Sequence, residues 1–380
     1  MIFLYSKGIL MNKANATNIL FIIIISLIIL FFSFSYLFSS DKTFSENENR
    51  LLQVFPTFTV EKLLNGTYTH QLHNYFSDQM IFRNLMIETK AITELLMGKN
   101  ENNGILLGRD NYLIETHQYT NENYDYLSKN LSKIEKMMHD FTLNNVNSYS
   151  IIIPRKVDVL EGFFSPYYSN ERNKKVWNIL NNQHINPMNY QKDVYSFFYK
   201  TDHHLTAEGI YFVYKSLGDF LNYIPYPLNH FNLQVLSNSF HGTTYSKSGF
   251  FFVDTEEIQA PTLEKSTYKM TIVDTGLEFD TLYDYSYLSK KDKYGVFLSG
   301  NNAHVKIYDT KDKTKETLLL IKDSFSHALA PFLCEHYNLE LIDPRYYNDS
   351  IEEYIKENEI TNVLFLFGID TLASGNIVIR

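Results

Sequence analysis

The stretch "ETLLLIKDSFSHALAPFLCEHYNLELIDPRYYNDSIEEYIKENEITNVLFLFGIDTL", residues 316–372, decides the fold. Its apolar runs Leu318–Ile321, Leu339–Ile342 and Val363–Phe367 are short and continuous, the pattern of strands buried on both faces. Segments of helical length separate them. The order strand, helix, strand, helix, strand predicts a parallel sheet flanked by helices. Pro331 falls inside the first intervening segment and keeps that helix short or kinked. In such sheets ligands bind at the loops that follow the carboxyl ends of the strands.

The same reading extends upstream. "SYSIIIP" (148–154) is another doubly buried strand, and Leu127, Leu131, Ile134 and Met138 form the apolar stripe of an amphipathic helix. "NGILLGRDNYLIE" (103–115) has the pattern of a hairpin, and a helix is expected around 170–182. "DVYSFFYKTDHH" (193–204) reads as an extended segment. It leads into a helix capped by Thr206, with Glu208 in its first turn and Ile210, Val213, Tyr214, Leu217, Phe220 and Leu221 on its apolar face. Residues 235–315, aromatic and β-branched with Gly and Ser punctuation, read as a β-rich insertion.

Near the start, "NILFIIIISLIILFFSFSYLF" (18–38) is long enough to cross a hydrocarbon core, and no charged residue lies between Lys13 and Asp41. Lys7 and Lys13 precede it, so the positive-inside rule keeps residues 1–17 in the cytoplasm and sends the rest outside. A cleaved signal peptide is the competing reading; its apolar region is normally shorter and ends in a small-residue cleavage site. The chain therefore divides into a cytoplasmic N-terminus (1–17), a transmembrane anchor (18–38), a juxtamembrane helical segment (39–100) and an α/β domain (101–380).

Composition narrows the function. A formal charge of −9 argues against nucleic acid as a partner, and the single cysteine, Cys334, excludes an internal disulfide and a cysteine-based zinc cluster.

The chemistry sits in two short motifs. Ser324 follows the first C-terminal strand, where a turn lifts the hydroxyl clear and nearby N–H groups face a developing oxyanion. A serine hydroxyl needs a base, and the base needs an orienting acceptor. "KTDHHLTAEG" (200–209) supplies both: in an extended loop side chains two apart share a side, so Asp202 would hold Nδ1 of His204 and leave Nε2 for Ser324. On that geometry His203 points away. A metal site from Asp202, His203 and His204 is disfavoured, because adjacent histidines diverge and no second ligand cluster appears. His327, one turn beyond Ser324, reads as a packing residue.

These motifs, with "ENRLLQVFPTF", "YFSDQMIFR", "IIIPRKVDVLEGF", "FHGTTYSKSG", "DKYGVFLSGN" and "IDPRYY", make the chain resemble the DHHW family, relatives of the bacterial alginate O-acetylation proteins with an SGNH-hydrolase-like domain. The resemblance implies a three-layer α/β sandwich with a mostly parallel sheet. It also implies a serine-type acyl-transfer site outside the membrane: Ser324 as nucleophile, His204 as base and Asp202 as its orienter; no cofactor and no metal are expected. The Asp–His pair precedes the serine, the permuted order of the alginate relatives.

Two positions depart from the pattern. Leu205 stands where the motif has Trp, and "FGIDTL" places Asp370 where ordinary SGNH proteins carry an oxyanion-binding Asn. Arg345 of "DPRYY" stands at the next strand end, to contact the oxyanion or an anionic sugar, or else to pair with Asp343 or Asp349. The implied activity is O-acetyl transfer to, or acetyl-ester hydrolysis of, a cell-envelope or secreted polysaccharide, with a multi-pass membrane acyltransferase as the acetyl source. The alternative is a non-catalytic polysaccharide-binding or scaffold protein of an export complex.

Overall fold

A computed structural model describes residues 2–45, 48, 50–160, 176, 179–180, 194–264, 267–377 and 379. Two compact units divide the chain, Met1–Thr93 and Glu94–Arg380.

The first unit opens with helix α1 (Ile2–Phe38), of which Ala16–Tyr36 is long and apolar enough to cross a membrane and buries none of its side chains in the protein. Three further helices follow: α2 (Val60–Leu64), α3 (Thr67–Asp78) and α4 (Arg83–Leu96). Thr59 caps α2 by accepting from Lys62 N, and Asn65 with a left-handed Gly66 breaks the chain before α3, as Asn-Gly does.

The second unit begins with the expected hairpin, β1 (Ile105–Leu107) paired to β2 (Leu113–Glu115), its turn using left-handed Asp110 and Asn111. Helix α5 (Asn121–Leu143), boxed at its start by Thr120 and Asn123, leads into strand β3 (Asn147–Ile153). The helix expected around 170–182 falls outside the described residues, apart from Val176, Ile179 and Leu180, which are helical. The segment before the DHH motif is not a strand. Val194–Phe197 is a 3₁₀ turn, and Phe198 and Leu205 close the DHH loop by a single antiparallel bridge. Helix α6 (Ala207–Leu221) then starts as expected, Thr206 Oγ1 accepting from Gly209 N.

Strands β4 (Leu233–Phe240) and β5 (Glu256–Pro261) form a separate antiparallel pair. The next three, β6 (Tyr268–Ile272), β7 (Leu277–Phe279) and β8 (His304–Asp309), join the main sheet. The C-terminal run supplies β9 (Thr317–Lys322), β10 (Asn338–Ile342), α7 (Ile351–Glu357) and β11 (Asn362–Gly368).

The seven-stranded sheet runs β7-β6-β8-β10-β9-β11-β3. Strands β10, β9, β11 and β3 are mutually parallel; β8 pairs antiparallel with β10, and β6 and β7 continue antiparallel. The sheet is therefore mixed rather than mostly parallel. The reason lies in the region read as an insertion: Tyr268–Ile272 alternates buried and half-buried side chains, fits the open edge of β8, and extends the sheet instead of standing apart from it.

Two cores explain the continuous apolar runs. Leu318, Leu320, Leu339, Leu341, Leu364 and Leu366 face one side with Ile210, Val213, Tyr214 and Leu217 of α6. Leu319, Ile321, Ile342, Val363, Phe365 and Phe367 face the other, with Leu127, Leu131 and Ile134 of α5 and Ile351 and Ile355 of α7. Leu318 through Ile321 are wholly buried, which is why they do not alternate with polar residues.

Candidate active site

The carboxyl ends of β3, β9, β10 and β11 open onto one cavity of about 110 Å³. Pro154 and Arg155 follow β3 there, Asp323 and Ser324 follow β9, Arg345 lies just past β10, and Gly368 to Thr371 follow β11.

Ser324 opens a single 3₁₀ turn, Ser324–Ser326, and the short helix Ala330–Leu333 has Pro331 at its start. Asp323 fixes this turn. Its Oδ1 accepts from Phe325 N at 3.0 Å, while Oδ2 accepts from Gly368 N at 2.8 Å and Thr371 Oγ1 at 2.6 Å. A Cβ on Gly368 would stand 2.4 Å from the Phe325 ring, so only glycine lets the two strand ends close up. Burial raises the Asp323 pKa, against the bonds that it accepts.

His204 meets Ser324 across 120 positions of sequence: Nε2 lies 2.8 Å from Oγ. Its Nδ1 is 2.5 Å from Asp202 Oδ1, which also accepts from the His204 backbone N–H at 2.9 Å. The remaining oxygen of Asp202 accepts from Thr243 N at 2.7 Å and Thr243 Oγ1 at 3.1 Å. Burial works to raise the pKa of Asp202, but the neighbouring His203 and His204 and the bonds it accepts hold it well below the usual carboxylate range. The charge that orients the imidazole is thus kept in place.

The turn that makes this contact is braced from several sides. Glu256 accepts from Lys200 N at 2.7 Å, Thr201 N at 2.7 Å and Thr201 Oγ1 at 2.5 Å. The buried Lys156 ammonium donates to the carbonyls of Leu113, Tyr199 and Lys200 at 2.6, 2.9 and 3.2 Å. A Cβ on Gly242 would fall 2.2 Å from the Asp202 carboxylate, so glycine there lets the Thr243 amide approach. Tyr294 stacks on the His204 ring at 3.9 Å and 10°. Thr243, Gly242, Glu256 and Tyr294 had no role in the sequence reading, although "FHGTTYSKSG" and "DKYGVFLSGN" hold three of them.

His203 does not point away. Because the loop folds as a turn around Asp202 rather than running extended, its ring sits 3.9 Å from that of His204, and Nδ1 is 2.9 Å from Thr243 Oγ1. Burial and the neighbouring His204 push its pKa down to about 4, so near neutrality it is uncharged. Donor atoms of Asp202, His203 and His204 consequently lie within 4.8 Å of one another, which is compatible with a metal ion. Those of Asp202, both oxygens, and Nδ1 of both histidines are already engaged in hydrogen bonds. The set fits a hydrogen-bond relay better than a coordination shell.

Arg345 pairs with Asp343, one of the two carboxylates named for it, and also reaches the cavity. Nε and Nη2 grip Asp343 Oδ1 and Oδ2 at 2.9 and 2.7 Å, and the side chain lines the cavity with Ser324. Among the described residues its Nη1 has no hydrogen-bond partner, and neither has the Ser324 N–H. His327 is buried and turned from Ser324: its Nε2 lies 2.9 Å from Lys322 Nζ, and burial beside that ammonium holds its pKa well down. Asp370 takes no donor role. Its Oδ1 accepts from Tyr119 at 2.6 Å and faces His117 Nε2 at 3.2 Å, and although desolvation opposes this, His117 keeps its carboxyl below the usual range.

A mixed α/β sheet with Asp, His and Ser hydrogen-bonded in series, the Ser at a strand end, is the class that the fold and site define. The chain carries the DHHW protein family pattern over residues 164–342. Its structure is similar to that of a DHHW family protein from Eubacterium siraeum (TM-score 0.58, 19% identity, 73% of this chain and 94% of that one). It is also similar to Bacillus cereus PatB1 (TM-score 0.59, 18% identity, 73% and 99%) and to the same protein with a sulfonyl adduct (TM-score 0.57, 17% identity, 72% and 98%). No curated protein matches the sequence.

Proposed function

We propose that this protein is an extracytoplasmic, serine-dependent O-acetyltransferase or acetylesterase acting on a cell-envelope or secreted polysaccharide. The observation that carries the reading is the unbroken relay Asp202–His204–Ser324, aimed at a cavity rather than into the core. Ser324 Oγ attacks the acetyl carbonyl carbon as its proton passes to His204 Nε2, and Asp202 stabilises the imidazolium formed. The Ser324 N–H and Arg345 Nη1 are the donors available to the tetrahedral oxyanion, standing in for the absent Asn. Collapse expels the donor alkoxide, which takes the proton from His204, and leaves acetyl-Ser324. A sugar hydroxyl then gives its proton to His204 and attacks the ester; collapse breaks the bond to Ser324 Oγ, which takes the proton back from His204, and with water in place of the sugar the outcome is hydrolysis.

The motif resemblance to the alginate O-acetylation proteins supports acetyl as the group and polysaccharide as the acceptor. The apolar helix Ala16–Tyr36 supports anchoring, and a multi-pass acyltransferase is the partner that would bring acetyl across the membrane. One observation favours a non-catalytic binder instead: Asp370, at the oxyanion Asn position, is an acceptor-only carboxylate whose Oδ1 is held by Tyr119 and His117.

The test is turnover of a chromogenic acetate ester by the full chain in detergent. Ser324→Ala and His204→Ala should each abolish the burst of acyl-enzyme and reduce turnover by roughly 10³-fold or more. Equal rates in parent and variants would remove the relay from the chemistry. Activity that a chelator abolishes would reinstate the metal reading.

A further inference from the structure

The segment between α1 and α3 carries an apolar surface that the proposed chemistry does not use. Val54, Phe55, Phe58, Val60, Leu63 and Leu64 are all exposed, from 46% for Leu63 to 82% for Leu64, and α2 buries no residue at all. Glu61 and Lys62 are the only charges from 54 to 64. An apolar run of this kind on a water-facing surface marks a binding face.

Its position is fixed rather than loose. Arg50 Nη1 and Nη2 clamp Asp78 Oδ2 and Oδ1 at 3.0 and 2.5 Å, and Gln53 N donates to Asp78 Oδ2 at 2.8 Å. Arg83 pairs with Glu48. Gln79, at the end of α3, bonds both Gln53 O at 3.0 Å and Lys42 at 2.9 Å. The two motifs "ENRLLQVFPTF" and "YFSDQMIFR" are thereby one knot, and the exposed run leaves directly from it.

The knot is tied to the last turn of the apolar helix. The Tyr36 hydroxyl donates to Phe76 O at 2.6 Å, and its ring meets Phe76 edge to face at 5.2 Å. Phe76 contacts Tyr75, Tyr75 contacts Phe55, and Phe58 meets Tyr68, all at 5.2–5.5 Å. Tyr36 ends the stretch Ala16–Tyr36, so this aromatic chain lies at the level where an anchored helix leaves the hydrocarbon.

We propose that residues 54–64, with the adjoining Phe76 of α3, are a second membrane contact, seated in the headgroup–acyl boundary of the bilayer that α1 spans. It rests on the reading of α1 as an uncleaved anchor. The apolar side chains enter the boundary, and Lys62, whose Nζ now meets Thr57 Oγ1 at 3.1 Å, reaches back to the headgroups. The anchor and the platform hold the juxtamembrane segment at the bilayer surface.

Nitroxide labels on the full chain in phosphatidylcholine–phosphatidylglycerol vesicles test this, with the unmodified chain as blank because Cys334 is buried. Ile25→Cys reports the anchor, Phe58→Cys and Leu64→Cys the platform, and Lys313→Cys an aqueous loop. Labels at 58 and 64 should lose relaxation by a water-soluble nickel chelate and gain it from oxygen, relative to 313. An embedded label at 25 with labels at 58 and 64 matching 313 overturns the platform alone. A label at 25 that is itself aqueous overturns both readings. Loss of nickel relaxation at 58 and 64 without a gain from oxygen means protein covers the face, and also overturns the proposal.

Discussion

Two carboxylate–imidazole pairs reach the same cavity, one through Ser324 and the other through Asp370, and they differ in what matters for proton transfer. Asp202 is buried, accepts four hydrogen bonds and leaves the far nitrogen of His204 on a serine at a strand end. Asp370 is half-exposed, and His117 lies between it and Glu115, 3.2 Å from one and 3.7 Å from the other, so both ring nitrogens face carboxylates. The first pair has an outlet for a proton; the second has none. An acid-oriented histidine can take up a proton only where its other nitrogen is left open to a hydroxyl or water rather than to a second carboxylate.

That contrast is open to attack, first at its strongest point. Asp202→Asn should lower ester turnover by roughly 10⁴-fold while leaving the fold intact by circular dichroism, since it removes the charge that fixes the tautomer of His204. A loss no greater than that from His117→Gln would erase the distinction. Arg345→Lys keeps a cation near Asp343 but loses the planar fork; kcat should fall about 10²-fold with KM little changed. A change in KM alone would assign Arg345 to substrate rather than to the oxyanion.

Tyr294 sharpens the comparison differently. Its ring covers His204, but its buried hydroxyl has no hydrogen-bond partner among the described residues. Tyr294→Phe should therefore be neutral or stabilising in urea titrations, and Tyr294→Leu should cost about 2 kcal/mol and lower turnover by losing the stack.

The smallest effect belongs to the second pair. The bond to Asp370 raises the pKa of His117, so its stabilisation is complete below the unfolded histidine pKa and disappears as pH rises through the folded one. With both side chains nearly half exposed, His117→Gln should cost only about 0.5 kcal/mol at pH 5 and nothing at pH 9, and should leave ester turnover unchanged.

The parts of this architecture that could be read in advance are those with local causes. The runs Leu318–Ile321 and Val363–Phe367 declare double burial by lacking any polar residue, and Thr206 declares a cap by its place before Ala207. Ser324, His204 and Asp202 were legible because each motif is short. What was not legible depends on distant pairing. Nothing near His304 shows that it will lie opposite Ile342, and so make the sheet mixed. The side of the loop taken by His203 follows from the backbone turn around Asp202, not from alternation. Thr243, Glu256 and Tyr294 reach the site from 41 to 92 positions beyond Asp202, through contacts that only the folded chain provides.

Asp323 carries a consequence of its own. Because one carboxylate joins the amide after Ser324 to the amide of Gly368, the Ser324 hydroxyl is referenced to two neighbouring strands rather than to the flexibility of any loop. Under the proposed function, acceptors of different bulk would rearrange the cavity rim without moving that oxygen. On that proposal, tolerance of varied acceptors and constancy of the acyl step have separate structural origins.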